Sequence, residues 1–207
     1  MVNKLKQIKT KSLRWIHVSE PGENEIQYLR EHFEFHPLDL EDCLNQAQRP
    51  KIDEYGSYIF VILLFPYYNR QERKILAAEL DFFIGDGYLI TVDDGKENVA
   101  HKLFDDCLKS EVLREQYLDG SPAHVLHELL QRMQAGVFPM LDHVSKDITA
   151  IENQIFLNRE RVVVRDILST KRNIVNFRRI MNAHKNIIRR LTEGQARKIL
   201  GLSQEMI

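Results

Sequence analysis

Three carboxylates in four residues, Asp39, Glu41 and Asp42, sit in the run His36-Pro37-Leu38-Asp39-Leu40-Glu41-Asp42. Chemically they suit a hard divalent cation, because Mg²⁺ takes one or two carboxylates and keeps several waters. The same pattern also reads as an acidic first helical turn after a proline, where the helix dipole favours negative charge. From spacing alone the capped helix is the stronger reading. Asp93-Asp94-Gly95 and Asp105-Asp106 are further acidic pairs, but neither follows the alternating Asp pattern of a calcium loop. His124 and His127 lie one helical turn apart beside Glu128, in an order that differs from the HExxH zinc motif and lacks a third ligand. His36, Cys43 and Cys107 have no zinc-ligand spacing either. Nucleophile elbow, P-loop and dinucleotide fingerprints are missing, and acids beside Cys43 raise its pKa rather than lower it. The chain does not read as an enzyme.

Composition narrows the class. The 207 residues are 43% hydrophobic and 29% charged, values ordinary for a globular protein with a substantial core. Two cysteines do not make a disulfide framework, so a reducing compartment is expected. The basic N-terminus has no apolar run behind it and is not a signal peptide. The longest apolar run, from Tyr58 to Phe65, falls far short of the roughly 20 residues that span a bilayer. The net charge of −1 conceals a split: from Asn158 onward 12 Lys/Arg face 4 Asp/Glu, whereas 17 face 26 before it. Such asymmetry suggests partners of opposite sign, or docking of the two halves on each other.

The elements that must position the acids fall into two parts. Residues 1–120 read as an α/β unit, with αβα layers around a mixed sheet. Strands are expected at Ser12–Val18, Lys51–Tyr55, Tyr58–Tyr68, Ile75–Ile84 and Tyr88–Val92, with Leu76, Ala78, Leu80 and Phe82 sharing one face of the fourth. Gly85-Asp86-Gly87 predicts a tight hairpin. Helices are expected over Glu23–Phe33, Leu38–Leu44 and Asn98–Lys109.

Residues 121–207 read as a long helical hairpin and the start of a stalk helix. Ser121 offers an N-cap, with Pro122 in the first turn. A near-heptad series from Leu126 to Ile155 predicts one long helix bent at Pro139. After a break near Leu157-Asn158, Val164, Ile167, Ile174, Phe177, Met181, Ile188 and Leu191 lie near one face of a second helix. A third begins near Gln195 and is still helical in character at Ile207, which reads as truncation before membrane segments. Arg159, Arg161, Arg165, Lys171, Arg172, Arg178, Arg179, Lys185, Arg189 and Arg190 stud the second helix. They could contact phosphates, but they fall on several faces without interleaved aromatics, so a solvated or salt-bridging surface is the expectation.

The stretch His36–Leu64 resembles the cytoplasmic signature of the CorA family of divalent-cation (Mg²⁺/Co²⁺) transporters: a His-Pro-Leu-x-Leu-Glu-Asp helix, an Asn, a Gln-Arg-Pro-Lys turn and a strand near Tyr55 or Tyr58. Leu80–Val92 (LDFFIGDGYLITV) and Lys171–Ile188 (KRNIVNFRRIMNAHKNII) are similar to later family blocks, in the same order. The resemblance runs from about Trp15 to Leu191.

This resemblance implies a homopentamer at the cell inner membrane, with the present region cytoplasmic and passive permeation of hydrated divalent cations in the full-length protein. It implies regulatory Mg²⁺ binding, or Co²⁺, Ni²⁺ or Zn²⁺, at Asp42 with Glu41 beside it, the second half of the site coming from a stalk acid beyond Ile207. No Gly-Met-Asn pore motif and no membrane helix occur, and Glu152–Arg165 is less acidic than the family tip. The expectation is therefore a soluble Mg²⁺-sensing domain with no nucleic-acid partner, joined to membrane only through missing C-terminal segments. Two alternatives remain: a ZntB-like zinc transporter domain, and a free-standing basic helical protein that binds nucleic acid.

Overall fold

Gly85, Asp86 and Gly87 organise the sheet. Gly87 takes φ +72°, which a side chain would resist, and Gly85 pairs with Tyr88 across a two-residue loop. The computed structural model describes residues 4–45, 49–96, 99–156 and 160–202, with only the backbone at 156 and 160–162. The sheet strands are β1 (Leu5–Lys9), β2 (Arg14–Ser19), β3 (Lys51–Glu54), β4 (Tyr58–Asn69), β5 (Lys74–Gly85) and β6 (Tyr88–Asp93). Their order is β1-β2-β6-β5-β4-β3. Among the described strands only β2 and β6 run parallel, so the sheet is mixed, as expected. β1 was not anticipated. Its sequence LKQIK buries only Ile8 and is held at the sheet edge by hairpin pairing with β2, so its apolar pattern is too weak to mark a strand.

Two apolar layers sandwich the sheet. On one face α1 (Glu23–His32) and α2 (Pro37–Asp42) cover Ile16, Phe60, Ile62, Phe83 and Ile90. On the other, Trp15, Val61, Leu80 and Phe82 pack under α3 (Val99–Lys109), α4 (Glu111–Leu118) and α5 (Pro122–Ala135). Period-two alternation in β5 sends Leu80 and Phe82 to the second face and Phe83 to the first. Helix α4, absent from the sequence expectation, begins where Ser110 Oγ accepts the Leu113 N–H.

The helical expectations hold in part. The predicted single helix to Ile155 is divided at Gly136, one turn before Pro139, into α5 and α6 (Val137–Phe156), with Gly136 still in helical conformation. Pro139 falls in the first turn of α6, where its missing N–H is no loss. Ser121 occupies the N-cap of α5 but its hydroxyl makes no capping bond. The second helix is divided at Ala183 into α7 (Glu160–Asn182) and α8 (His184–Leu191), followed by α9 (Gly194–Leu200).

The predicted apolar face of the second helix is buried only in part: Leu191 is buried and Phe177 and Met181 are half-buried. Val164, Ile167, Ile174 and Ile188 are exposed, whereas Val163, Thr170, Asn173, Ile180 and Ile187 are buried. The reason is polar. Asn173 accepts the Ile75 N–H at 3.0 Å and donates to the Arg73 carbonyl at 3.2 Å, and Asn176 donates to the Ile75 carbonyl. The helix therefore turns its amides to the backbone of β5, not its aliphatic stripe. The expected break at Leu157-Asn158 lies outside the described residues. No described helix is long and apolar enough to cross a membrane.

Candidate functional site

Helix α2 starts with His36 as N-cap, its Nδ1 accepting the Leu38 N–H, and with Pro37 in the first turn. Six residues cannot sustain a helix alone, so its orientation comes from tertiary anchors. Tyr58 supplies the main one: its hydroxyl donates to Asp39 Oδ2 at 2.8 Å and accepts the His36 N–H at 2.8 Å. Asp39 is thereby turned inward and is 1% exposed. Burial raises the Tyr58 pKa well above the ordinary phenol range, with the Asp39 bond and charge acting in the same direction.

The three sequence-predicted carboxylates thus separate. Asp39 is a buried anchor, Glu41 is exposed, and Asp42 lies half-exposed beside β3. Asp39 and Asp42 are three apart and share a helix face, while Glu41 points elsewhere. A side chain that the sequence reading placed in a turn and at the start of a strand, with no role at the acids, closes this face. Lys51 Nζ lies 2.6 Å from Asp42 Oδ2, 2.8 Å from Asp53 Oδ2 and 3.5 Å from Asp39 Oδ1. It also sits 4.9 Å over the Phe60 ring. Burial opposes the Lys51 charge, but hydrogen bonds to Asp42 and Asp53 outweigh it and hold the ammonium above its ordinary pKa. Among the described residues, no three His, Cys, Asp or Glu side chains converge as they would around a metal ion. Of the two expected ligands, Asp42 faces Lys51, and Glu41 lies on a neighbouring face of the helix, so the two carboxylates do not converge on one point.

Behind α2 lies a cleft of about 340 Å³ lined by Cys43, Asn45, Glu79, Asp81, Asp94 and the rim lysines Lys4 and Lys96, among others. Asp81 is 2% exposed, and its Oδ1 accepts no hydrogen bond. Burial, then the charge of Glu79, pushes its carboxyl well above the usual range. Cys43 is buried, donates weakly to the Asp39 carbonyl at 3.3 Å, and has its thiol pKa raised by burial and by Asp81. It is a poor nucleophile, in line with the sequence reading. Glu79 and Asp81 escaped that reading, although two acids at alternate positions of an apolar strand were a usable signal.

The other candidate acids have structural surroundings. Asp93 lies 3.2 Å from His17 Nε2 and accepts from Ser19 Oγ and the Gly95 N–H. Asp105 bonds Lys6 and lies near His101. Cys107 is buried, which lifts its thiol pKa to about 11.

The family model described as "CorA-like Mg2+ transporter protein" matches residues 10–204. The cobalt/magnesium transport protein CorA of Thermotoga maritima is 22% identical over 167 residues, covering 80% of this chain and 46% of the relative. The soluble domain of CorA from Methanocaldococcus jannaschii superposes with a TM-score of 0.74 at 19% identity, covering 87% of this chain and 70% of that one. The ZntB cytoplasmic domain from Vibrio parahaemolyticus gives a TM-score of 0.61 at 14% identity, covering 93% and 78%. At these identities the structural likeness speaks to fold alone. The chain spans about half the length, or less, of the curated relatives it matches.

Proposed function

Because this chain belongs to the CorA-like Mg²⁺ transporter family, we propose that it is the cytoplasmic ion-sensing region of a divalent-cation transporter of the inner membrane. The observation that carries this reading is the position of Asp42. It sits at the exposed end of a helix pinned from below by Tyr58, with Glu41 beside it and Lys51 opposing it.

In this reading Asp42 takes a hydrated Mg²⁺, or a similar ion such as Co²⁺, with Glu41 on the neighbouring face reached through the ion's waters and the remaining partners supplied by another subunit. Retained hydration suits an ion that gives up water reluctantly. Binding displaces Lys51 toward Asp53, which is already 2.8 Å from the ammonium. An ion that binds only the closed assembly stabilises it in proportion to occupancy, and carboxylates facing each other without the ion repel. Exposed apolar side chains on α6 and α7, including Leu141, Ile148, Ile167 and Leu168, support association with further copies, which the reading takes to be a pentamer. Passive ion permeation would belong to the full-length protein, with the transported cation as its cargo.

Thermal unfolding and sedimentation over a millimolar Mg²⁺ series test the proposal. At tenfold above Kd, bound ion should add about 1.4 kcal/mol to the wild-type chain. Asp42→Ala should lose most of that gain and Glu41→Ala part of it. Equal Mg²⁺ responses in all three proteins would remove the sensing role from these residues.

A further inference from the structure

We propose that the groove between the end of α7 and the turn-proximal half of the β4–β5 hairpin binds a nucleoside di- or triphosphate. The groove encloses about 980 Å³, at the upper end of the range for small-ligand sites. Its described lining carries three bases, Arg49, Lys96 and Arg179, and no acid, in a chain whose acids and bases are nearly equal in number. Arg49 and Arg179 are exposed and make no ion pair or side-chain hydrogen bond among the described residues. Arg190, by contrast, is held by Glu54 at 3.1 Å. Positive charge left without a counter-ion in a concave site raises the local concentration of anions.

The walls suit the uncharged half of such a ligand. Leu64, Leu76 and Ile180 give the groove an apolar side. Tyr67 stands between this groove and an adjoining pocket of about 500 Å³, and it lines both. It is half-buried, yet its ring pairs with no described ring and its hydroxyl makes no described hydrogen bond. An aromatic ring without a partner, bordered by cations, can stack against a nucleobase. The aromatic that α7 lacks among its own bases is thus supplied by β4.

The donor set selects the charged half. Two guanidinium forks match phosphate oxygens, which they can bind bidentately, better than they match a halide or a lone carboxylate. Three cations along one groove suit a ligand with two or more negative charges. The acids nearby are engaged elsewhere. Asp94 lies 2.8 Å from Lys96 Nζ, and that ammonium keeps further donors for a ligand. Glu79, opposite Leu64 in the strand register, lines the cleft behind α2 instead.

Isothermal titration calorimetry of ATP into the chain tests the proposal, in EDTA so that ion binding at Asp42 plays no part. Saturable binding of one ATP per chain is expected, weakening as salt is raised. Arg179→Glu should lower the affinity at least about tenfold, the scale of one hydrogen bond to a charged group. Arg49→Glu should do the same, and serves if Arg179→Glu does not fold by circular dichroism. Arg189→Glu makes the same charge change on an exposed base of α8 outside the groove, and should leave the affinity nearly unchanged. Tyr67→Leu should weaken ATP at least about fivefold, the scale of base stacking on an aromatic ring, and leave tripolyphosphate binding as it was. No saturable binding overturns the site. So does an equal loss in Arg189→Glu, which would mean a diffuse basic surface, or tripolyphosphate binding as tightly as ATP, which would leave the nucleoside without a role.

Discussion

The Lys51 ammonium stands 2.6 Å from Asp42 Oδ2, so the carboxylate proposed to meet a metal ion is already met by a cation of its own chain. Binding at α2 is then an exchange of one positive charge for another. A lysine is one-third exposed here and flexible, so it can yield without dismantling the fold.

Replacing that lysine should expose the competition. Lys51→Met is expected to lower metal-free stability by about 1–2 kcal/mol, below the buried-pair range because Asp42 and Asp53 remain partly in water. It should also enlarge the thermal stabilisation by Mg²⁺, since three acids lose their internal counter-ion. A Mg²⁺ response no larger than wild type would show that Lys51 does not compete.

Tyr58→Phe removes the bond to Asp39 and the acceptor for the His36 amide in one step. Leaving such buried groups unpaired costs about 1–3 kcal/mol. Urea unfolding should show that loss, and amide exchange should accelerate across α2 before it does in β4. Uniform acceleration would mean that the helix has other anchors.

Thr91 Oγ accepts the Trp15 indole N–H at 3.1 Å and lies 3.0 Å from His17 Nδ1, all within the buried layer between β2, β6 and α3. Thr91→Val keeps the shape but leaves both rings without their partner, for an expected loss of about 1–3 kcal/mol. Thr91→Ser should recover most of the loss. Equal losses in Val and Ser would point to packing of the methyl group instead.

His184 carries a pH prediction. Burial lowers its pKa below 6.5, against the opposing effect of the Leu64 carbonyl, which lies 2.7 Å from Nε2. The neutral ring packs edge-on to Phe65. Because the folded pKa is depressed, the unfolded chain takes up the proton first as pH falls. The stability contribution is present above about pH 6.5 and is lost as pH falls through the lower folded value. Denaturant unfolding of wild type and His184→Gln between about pH 8 and 5 should show the wild-type advantage shrinking on acidification. A constant difference would contradict the assignment.

Much of this architecture was legible because it rests on local rules. Glycines at 85 and 87 specify the β5–β6 hairpin, and the apolar run of β4 marks a central strand. The family blocks carried the overall fold. Helix faces were less legible. The aliphatic stripe of α7 is largely solvent-facing, because Asn173 and Asn176 serve unpaired backbone groups of a strand about a hundred residues earlier. No periodicity count registers such a bond.

The acids of residues 39–42 show the same division most sharply. Sequence alone determined that a short acidic helix follows His36-Pro37, because a proline at the helix start and carboxylates near its dipole are local preferences. Only the tertiary structure decided which acid faces what. Tyr58 draws Asp39 inward, Lys51 crosses from β3 to hold Asp42, and β5 brings Glu79 and Asp81 beneath the helix. Charge pairing acts through space, and the strands that bring these partners together are neighbours only once the sheet has formed.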